Sequence, residues 1–149
     1  MKAAVLHETG APLVVEDVPE PEAADGQSVV DVRAAGINYA DALIRDGRYP
    51  QPPPLPAILG NEIAGDLAGR RVFGFARSSG GGYAERVAVE NRWIFDLPEG
   101  ASYAEGAALL TTYLTAWIPL VRLAHMRAGD EGQEGMAAFF EKRPPRWFK

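Results

Sequence analysis

Apolar and polar positions alternate along most of the first hundred residues, and the spacing changes to that of a helix at two places. The runs "KAAVL" (2–6) and "PLVVEDV" (12–18) are short and β-rich, and the Gly-Pro turn in "HETGAP" between them predicts a hairpin. In "SVVDVRAAGI" (28–37), Val29, Val30, Val32 and Ala34 fall among polar partners, as in a strand with one buried face. "NYADALIRDG" (38–47) then places Ala40, Leu43 and Ile44 at i, i+3, i+4, with Asn38 to cap the helix and Gly47 to end it. The prolines of "RYPQPPPLPAILG" (48–60) keep that segment extended, because proline disfavours the helical conformation of the residue before it. "NEIAGDLAGRRVFGFA" (61–76) reads as two strands around a tight Ala68-Gly69 turn, and "YAERVAV" (83–89) and "WIFDL" (93–97) as further strands. From Pro98 to Met126 the spacing is helical. Ser102 and Glu105 form a capping-box pair at its start, and Pro119 is expected to kink or divide the helix.

A strand-dense first part with one short helix, followed by helices, predicts a mainly β fold with helices (α+β), a small β-barrel followed by C-terminal helices. The 149 residues are enough for one domain with an appended element, and there is no internal repeat. Sixteen glycines and twelve prolines agree with many turns and short strands. A net charge of −5 argues against nucleic-acid or anionic-membrane binding. With no cysteine there is no disulfide, thiolate zinc site or cysteine nucleophile. His7 and His125 stand in no triad-like pattern and read as surface residues. The apolar run before His7 is too short for a signal peptide, and Ala107–Val121 is too short to span a bilayer, which needs about 20 residues. A soluble, cytoplasmic chain is the expectation.

Several stretches, taken in order, carry a resemblance: "AAGINYADALIRDGRYP", "LPAILGNEIAG", "GGYAERVAV" and "LPEGASYAEGAALLTTYLTAW". Over residues 1–130 the chain resembles the zinc-independent quinone oxidoreductase branch of the medium-chain dehydrogenase/reductases. The resemblance implies a GroES-like, partly open β-barrel and, for the ancestral activity, NADPH-dependent hydride transfer to a quinone or enoyl thioester C=C. The loop between "IAGDL" and "AGRRVFGF" is short compared with many relatives. In "GNE" (60–62), Asn61 stands where zinc-dependent cousins have a histidine ligand. Asparagine is a poor zinc ligand, so no zinc is expected, and a turn with a buried carboxylate at Glu62 is the plainer reading.

The resemblance also implies site residues. Asn38 would sit beside nicotinamide and substrate, where an amide holds a carbonyl by donating, or a carboxamide by donating and accepting. A plain helix cap explains Asn38 equally well. Tyr49 would line the same cleft, while Leu43 occupies a place that is often aromatic in relatives. Thr115, on one helical face with Thr112, would approach the cofactor, although a threonine there also bonds its own preceding turn. "SSGGG" (78–82) precedes a strand rather than opening a helix, which is the wrong context for a phosphate loop.

In the resembled family "RAGD" leads into a strand and a glycine-rich phosphate turn. Residues 131–149 have no such pattern, so no Rossmann domain is expected. They are expected to form an amphipathic helical tail, with Met136, Phe139 and Phe140 as a stripe, and weakly resemble the crotonase (enoyl-CoA hydratase) C-terminus. The tail is expected to cover an apolar patch on the barrel or on a second chain. Two functions remain open: a truncated or fused catalytic domain acting on a small-molecule substrate, with a separate nucleotide-binding partner or as a homo-oligomer, or a non-catalytic GroES-like binding or structural module.

Overall fold

The computed structural model describes residues 1–76, 80–123, 134, 143 and 146. The chain packs as two units, Met1–Thr112 and Tyr113–Lys149.

The first unit is built from antiparallel strands. β1 (Lys2–Leu6) pairs with β2 (Val14–Asp17) in the expected hairpin, and on its other side with the short β4 (Ala57–Ile58). A second sheet has the order β7-β3-β5-β6-β8, with β3 at Gln27–Gly36, β5 at Glu62–Leu67, β6 at Arg70–Phe75, β7 at Arg86–Glu90 and β8 at Ile94–Asp96. A bridge between Ala3 and Ala84 links the two sheets, which curl into a half-open barrel of GroES-like α+β type. Every strand pair among the described residues is antiparallel, so the parallel βαβ unit of a Rossmann domain is absent from them.

Local sequence accounts for most of these elements. Ala68 and Gly69 both have positive φ (49° and 81°), the pairing that lets a two-residue turn match the twist of β5 and β6. A bulge in β3 between Val32 and Ala34 shifts its register against β5. Val30, Ile63, Val72, Val87 and Val89 bury the inner faces of the five-stranded sheet. Leu6, Ile44 and Leu59 form a second core where α1 (Tyr39–Arg45) meets the barrel. Ala64, Phe73, Leu97 and Ala107 form a third beneath α2 (Tyr103–Ala107).

The helical region differs from the single kinked helix predicted. Ser102 and Glu105 do form the capping box: Glu105 N–H donates to Ser102 Oγ at 3.2 Å and Ser102 N–H donates to Glu105 Oε2 at 2.7 Å. The Ser102 N–H, and after it the Ser102 hydroxyl, which donates to the same oxygen at 2.8 Å, hold the Glu105 carboxyl below its ordinary range. The helix then stops at Ala108, well before Pro119, and restarts as α3 (Leu110–Trp117). The physical reason is a buried acceptor: restarting at Leu110 frees the Thr111 N–H to donate to Glu62 Oε1 at 2.6 Å. Tyr103 pins α2 to the sheet by donating to Asp66 at 2.6 Å, while Arg33 Nε donates to the other Asp66 oxygen at 2.8 Å. These bonds, Tyr103 first, keep Asp66 below the usual carboxylate range.

After α3 comes a π-helical turn, Ile118–Leu123, at Pro119, whose missing N–H widens the helix there. No helix of the described residues is long and apolar enough to cross a membrane. In the tail, Glu134 accepts from Arg143 and from the Arg146 N–H, which together hold its carboxyl down to about 2, Arg143 foremost. Met136, Phe139, Phe140 and His125 lie outside the described residues.

Candidate functional site

The site grows from the two ends of α1. At its N-terminus, the Asn38 N–H donates to Asp41 Oδ2 at 2.8 Å, an acid three residues into the helix answering the cap. The Asn38 side-chain amide reaches in the other direction and donates from Nδ2 to Glu62 Oε2 at 2.8 Å. Glu62 is 1% exposed. Its two oxygens accept from Asn38 and Thr111, so a buried carboxylate is compensated by two N–H donors. Thr111 Oγ1 is buried without a partner among the described residues.

At the C-terminus of α1, Gly47 N–H donates to the Ile44 carbonyl and Arg48 N–H to the Leu43 carbonyl. This is the paired closure of a helix whose next residue adopts positive φ, and Gly47 has φ +70°. The Tyr49 N–H also donates to Leu43, at 3.1 Å. The capping glycine therefore sets where Tyr49 emerges.

Tyr49 lines a groove of about 1030 Å³, together with Pro53, Pro56, Ile58, Asn61 and Phe75. Asp41 also reaches its wall. Asp41 is buried and accepts from the Tyr83 hydroxyl at 2.8 Å and, more weakly, from the Gly60 N–H at 3.4 Å. Burial, and then the bond to Asp41, pushes the Tyr83 phenol above its ordinary value. Asn38 is not among the groove's walls; Asp41 joins the two, accepting from Asn38 while lining the groove. On either side of Asn38, Ile37 and Tyr39 are 85% and 74% exposed. Thr115 is exposed on α3, in the second unit.

The glycine run has a structural job. The N–H groups of Gly80, Gly81, Gly82 and Tyr83 donate to the carbonyls of Ala76, Ile58, Gly60 and Leu59. None of these four is left to cradle a phosphate. Among the described residues no three His, Asp or Glu side chains converge as a metal-ion set. Sequence reasoning passed over Asp41 and Tyr83, although an acid three residues after Asn38 is itself a capping-box spacing.

Comparison with known proteins agrees with this fold. The Alcohol dehydrogenase GroES-like domain family matches residues 24–70. The quinone oxidoreductase of Pongo abelii is 33% identical, over 87% of this chain and 44% of its own length. The structure of the Thermus thermophilus quinone oxidoreductase, solved alone and with NADPH, superposes with a TM-score of 0.80 at 44% identity, over 87% of this chain and 43% of that one.

The chain belongs to the quinone oxidoreductase type of the medium-chain dehydrogenase/reductases.

A probable oxidoreductase from Mycobacterium abscessus is also similar, with a TM-score of 0.80 and 35% identity over 87% of this chain and 45% of that one. The chain thus spans less than half the length of these relatives. No hydratase stands among these three relatives, and the crotonase likeness of residues 131–149 has no support from them.

Proposed function

We propose that this chain carries the substrate-facing half of a reductase that passes hydride from a nicotinamide cofactor to a quinone or an enoyl thioester C=C. The observation that supports this best is the groove beside Tyr49, where Pro53, Pro56, Ile58 and Phe75 give apolar faces among the polar Gln51, Asn61 and Arg86, a mixed lining that suits a flat conjugated carbonyl compound.

NADPH is the cofactor proposed, and when bound it supplies a hydride, so that a quinone with one added proton leaves as the hydroquinone. Among the described residues, those that could meet it suit its nicotinamide end. Asn38 offers an amide to a carboxamide or carbonyl, whereas the N–H groups of residues 80–83 are already engaged with backbone. Tyr49, which lines the groove, is proposed to offer its phenol to a substrate carbonyl oxygen. Thr115 is proposed as a cofactor contact on the strength of family resemblance, and the pyrophosphate is assigned to a nucleotide-binding half. The chemistry is proposed to be zinc-independent, because Asn61 stands at the ligand position and no metal set assembles among the described residues.

The acidic chain is proposed to act in the cytoplasm on a small molecule, without nucleic acid or membrane. Tyr113, Leu114 and Trp117 are exposed on α3, which favours a protein partner, either a nucleotide-binding chain or a second copy. The second functional reading, a non-catalytic binding module, draws on the absence of a phosphate cradle among residues 80–83.

Titration of the full chain with 1,4-naphthoquinone, followed by backbone amide NMR, separates the two. Shifts confined to Tyr49, Ile58, Phe75 and their neighbours support the reductase reading. Shifts absent, or scattered over the surface, defeat it.

A further inference from the structure

We propose that Glu62 is a positioning residue that fixes which edge of the Asn38 amide faces a ligand. The inference rests on the reading of Asn38 as a ligand-holding residue and adds what that residue recognises. An ionised carboxylate only accepts hydrogen bonds. Glu62 Oε1 takes the Thr111 N–H at 2.6 Å and Oε2 takes Asn38 Nδ2 at 2.8 Å. A flipped Asn38 amide would set Oδ1 against Oε2, two acceptors face to face, so the orientation follows from Glu62 itself. The main chain of Asn38 is held in the same way by a second buried carboxylate, Asp41, which Tyr83 anchors. With one Nδ2 hydrogen committed, Asn38 keeps its other N–H, and Oδ1, which also faces the Asp41 N–H at the start of α1, has a second lone pair to offer. One acceptor beside one donor is the complement of a primary carboxamide, and it serves a bare ketone or quinone carbonyl less well.

The plainer alternative is that Glu62 serves only to hold the first turn of α3 through Thr111. Glu62→Gln separates the two roles without changing shape. The Thr111 N–H can only donate, so it keeps the glutamine oxygen and turns the glutamine NH2 toward Asn38. Asn38 must then rotate, giving Oδ1 to Gln and presenting only N–H groups outward.

The test is NMR on the full chain, with the Asn38 side-chain amide assigned by its loss in Asn38→Asp. In the wild type, one Asn38 amide hydrogen exchanges about tenfold more slowly than those of Gln51 and Asn91, as a charge-assisted bond to a buried acceptor requires. In Glu62→Gln the two Asn38 signals shift and the slow exchange is lost, while the melting temperature stays within a few degrees. Nicotinamide, added as the carboxamide probe, perturbs Asn38 in the wild type and does so at least about fivefold less in Glu62→Gln. Equal, fast exchange in the wild type, or Asn38 signals unchanged in Glu62→Gln, would overturn the inference, and the wild-type measurement decides even if the variant does not fold. If the Asn38 signature behaves as expected and nicotinamide perturbs neither protein, the positioning stands and the ligand-holding reading of Asn38 falls.

Discussion

The Tyr83 hydroxyl donates to Asp41 Oδ2 at 2.8 Å, joining the strand-side loop before β7 to the first turn of α1. Asp41 is 5% exposed, so each donor it keeps offsets part of a large desolvation cost. Tyr83→Phe removes one of them and should lower stability by about 1–2 kcal/mol in urea unfolding. It should also change the alkaline limb. The Tyr83 phenol is raised above its ordinary value of 10.0, so above that pH the unfolded chain releases a proton that the folded chain retains. Stability is therefore full below pH 10 and falls as pH climbs toward the folded value. That loss should be smaller in Tyr83→Phe, and equal alkaline slopes in the two proteins would count against the bond.

Gly36, at the end of β3, lies where a Cβ would strike the Ala107 carbonyl. A backbone oxygen at the end of α2 cannot swing aside as a side chain would. Gly36→Ala should cost about 1–3 kcal/mol, read by thermal or urea unfolding. A variant as stable as the parent would mean that α2 does not seat this closely on β3.

Tyr49→Ala should weaken naphthoquinone binding about tenfold, or about 1.4 kcal/mol, with little loss of stability, since the side chain is 38% exposed. Affinity measured by the same NMR titration in the two proteins provides the check. Unchanged affinity would remove Tyr49 from the site.

Much of this was legible along the chain because the signals are local. The Ala68-Gly69 turn, the Ser102/Glu105 capping box and the stop at Gly47 each depend on residues within a few positions of one another, and each lies where the pattern puts it. The break in the last helix was not legible. It is imposed on Thr111 by Glu62, 49 residues earlier, and no local periodicity encodes that partnership. The same distance explains why Glu62 reads from sequence only as a buried turn carboxylate, and why its bond to Asn38, 24 residues away, emerges only with β5 lying alongside β3. Asp41 and Tyr83 are a third case, since a capping acid and a strand-edge tyrosine are ordinary until the fold sets them 2.8 Å apart.

The proposed function divides the labour, assigning to this chain a substrate groove and an amide for the nicotinamide, and to a nucleotide-binding half the cradle for the cofactor's phosphates. Calorimetric titration of the full chain with NADPH tests it most directly. The account predicts a dissociation constant weaker than about 10 μM, which corresponds to less than about 7 kcal/mol of binding free energy. A tighter, stoichiometric complex would contradict it.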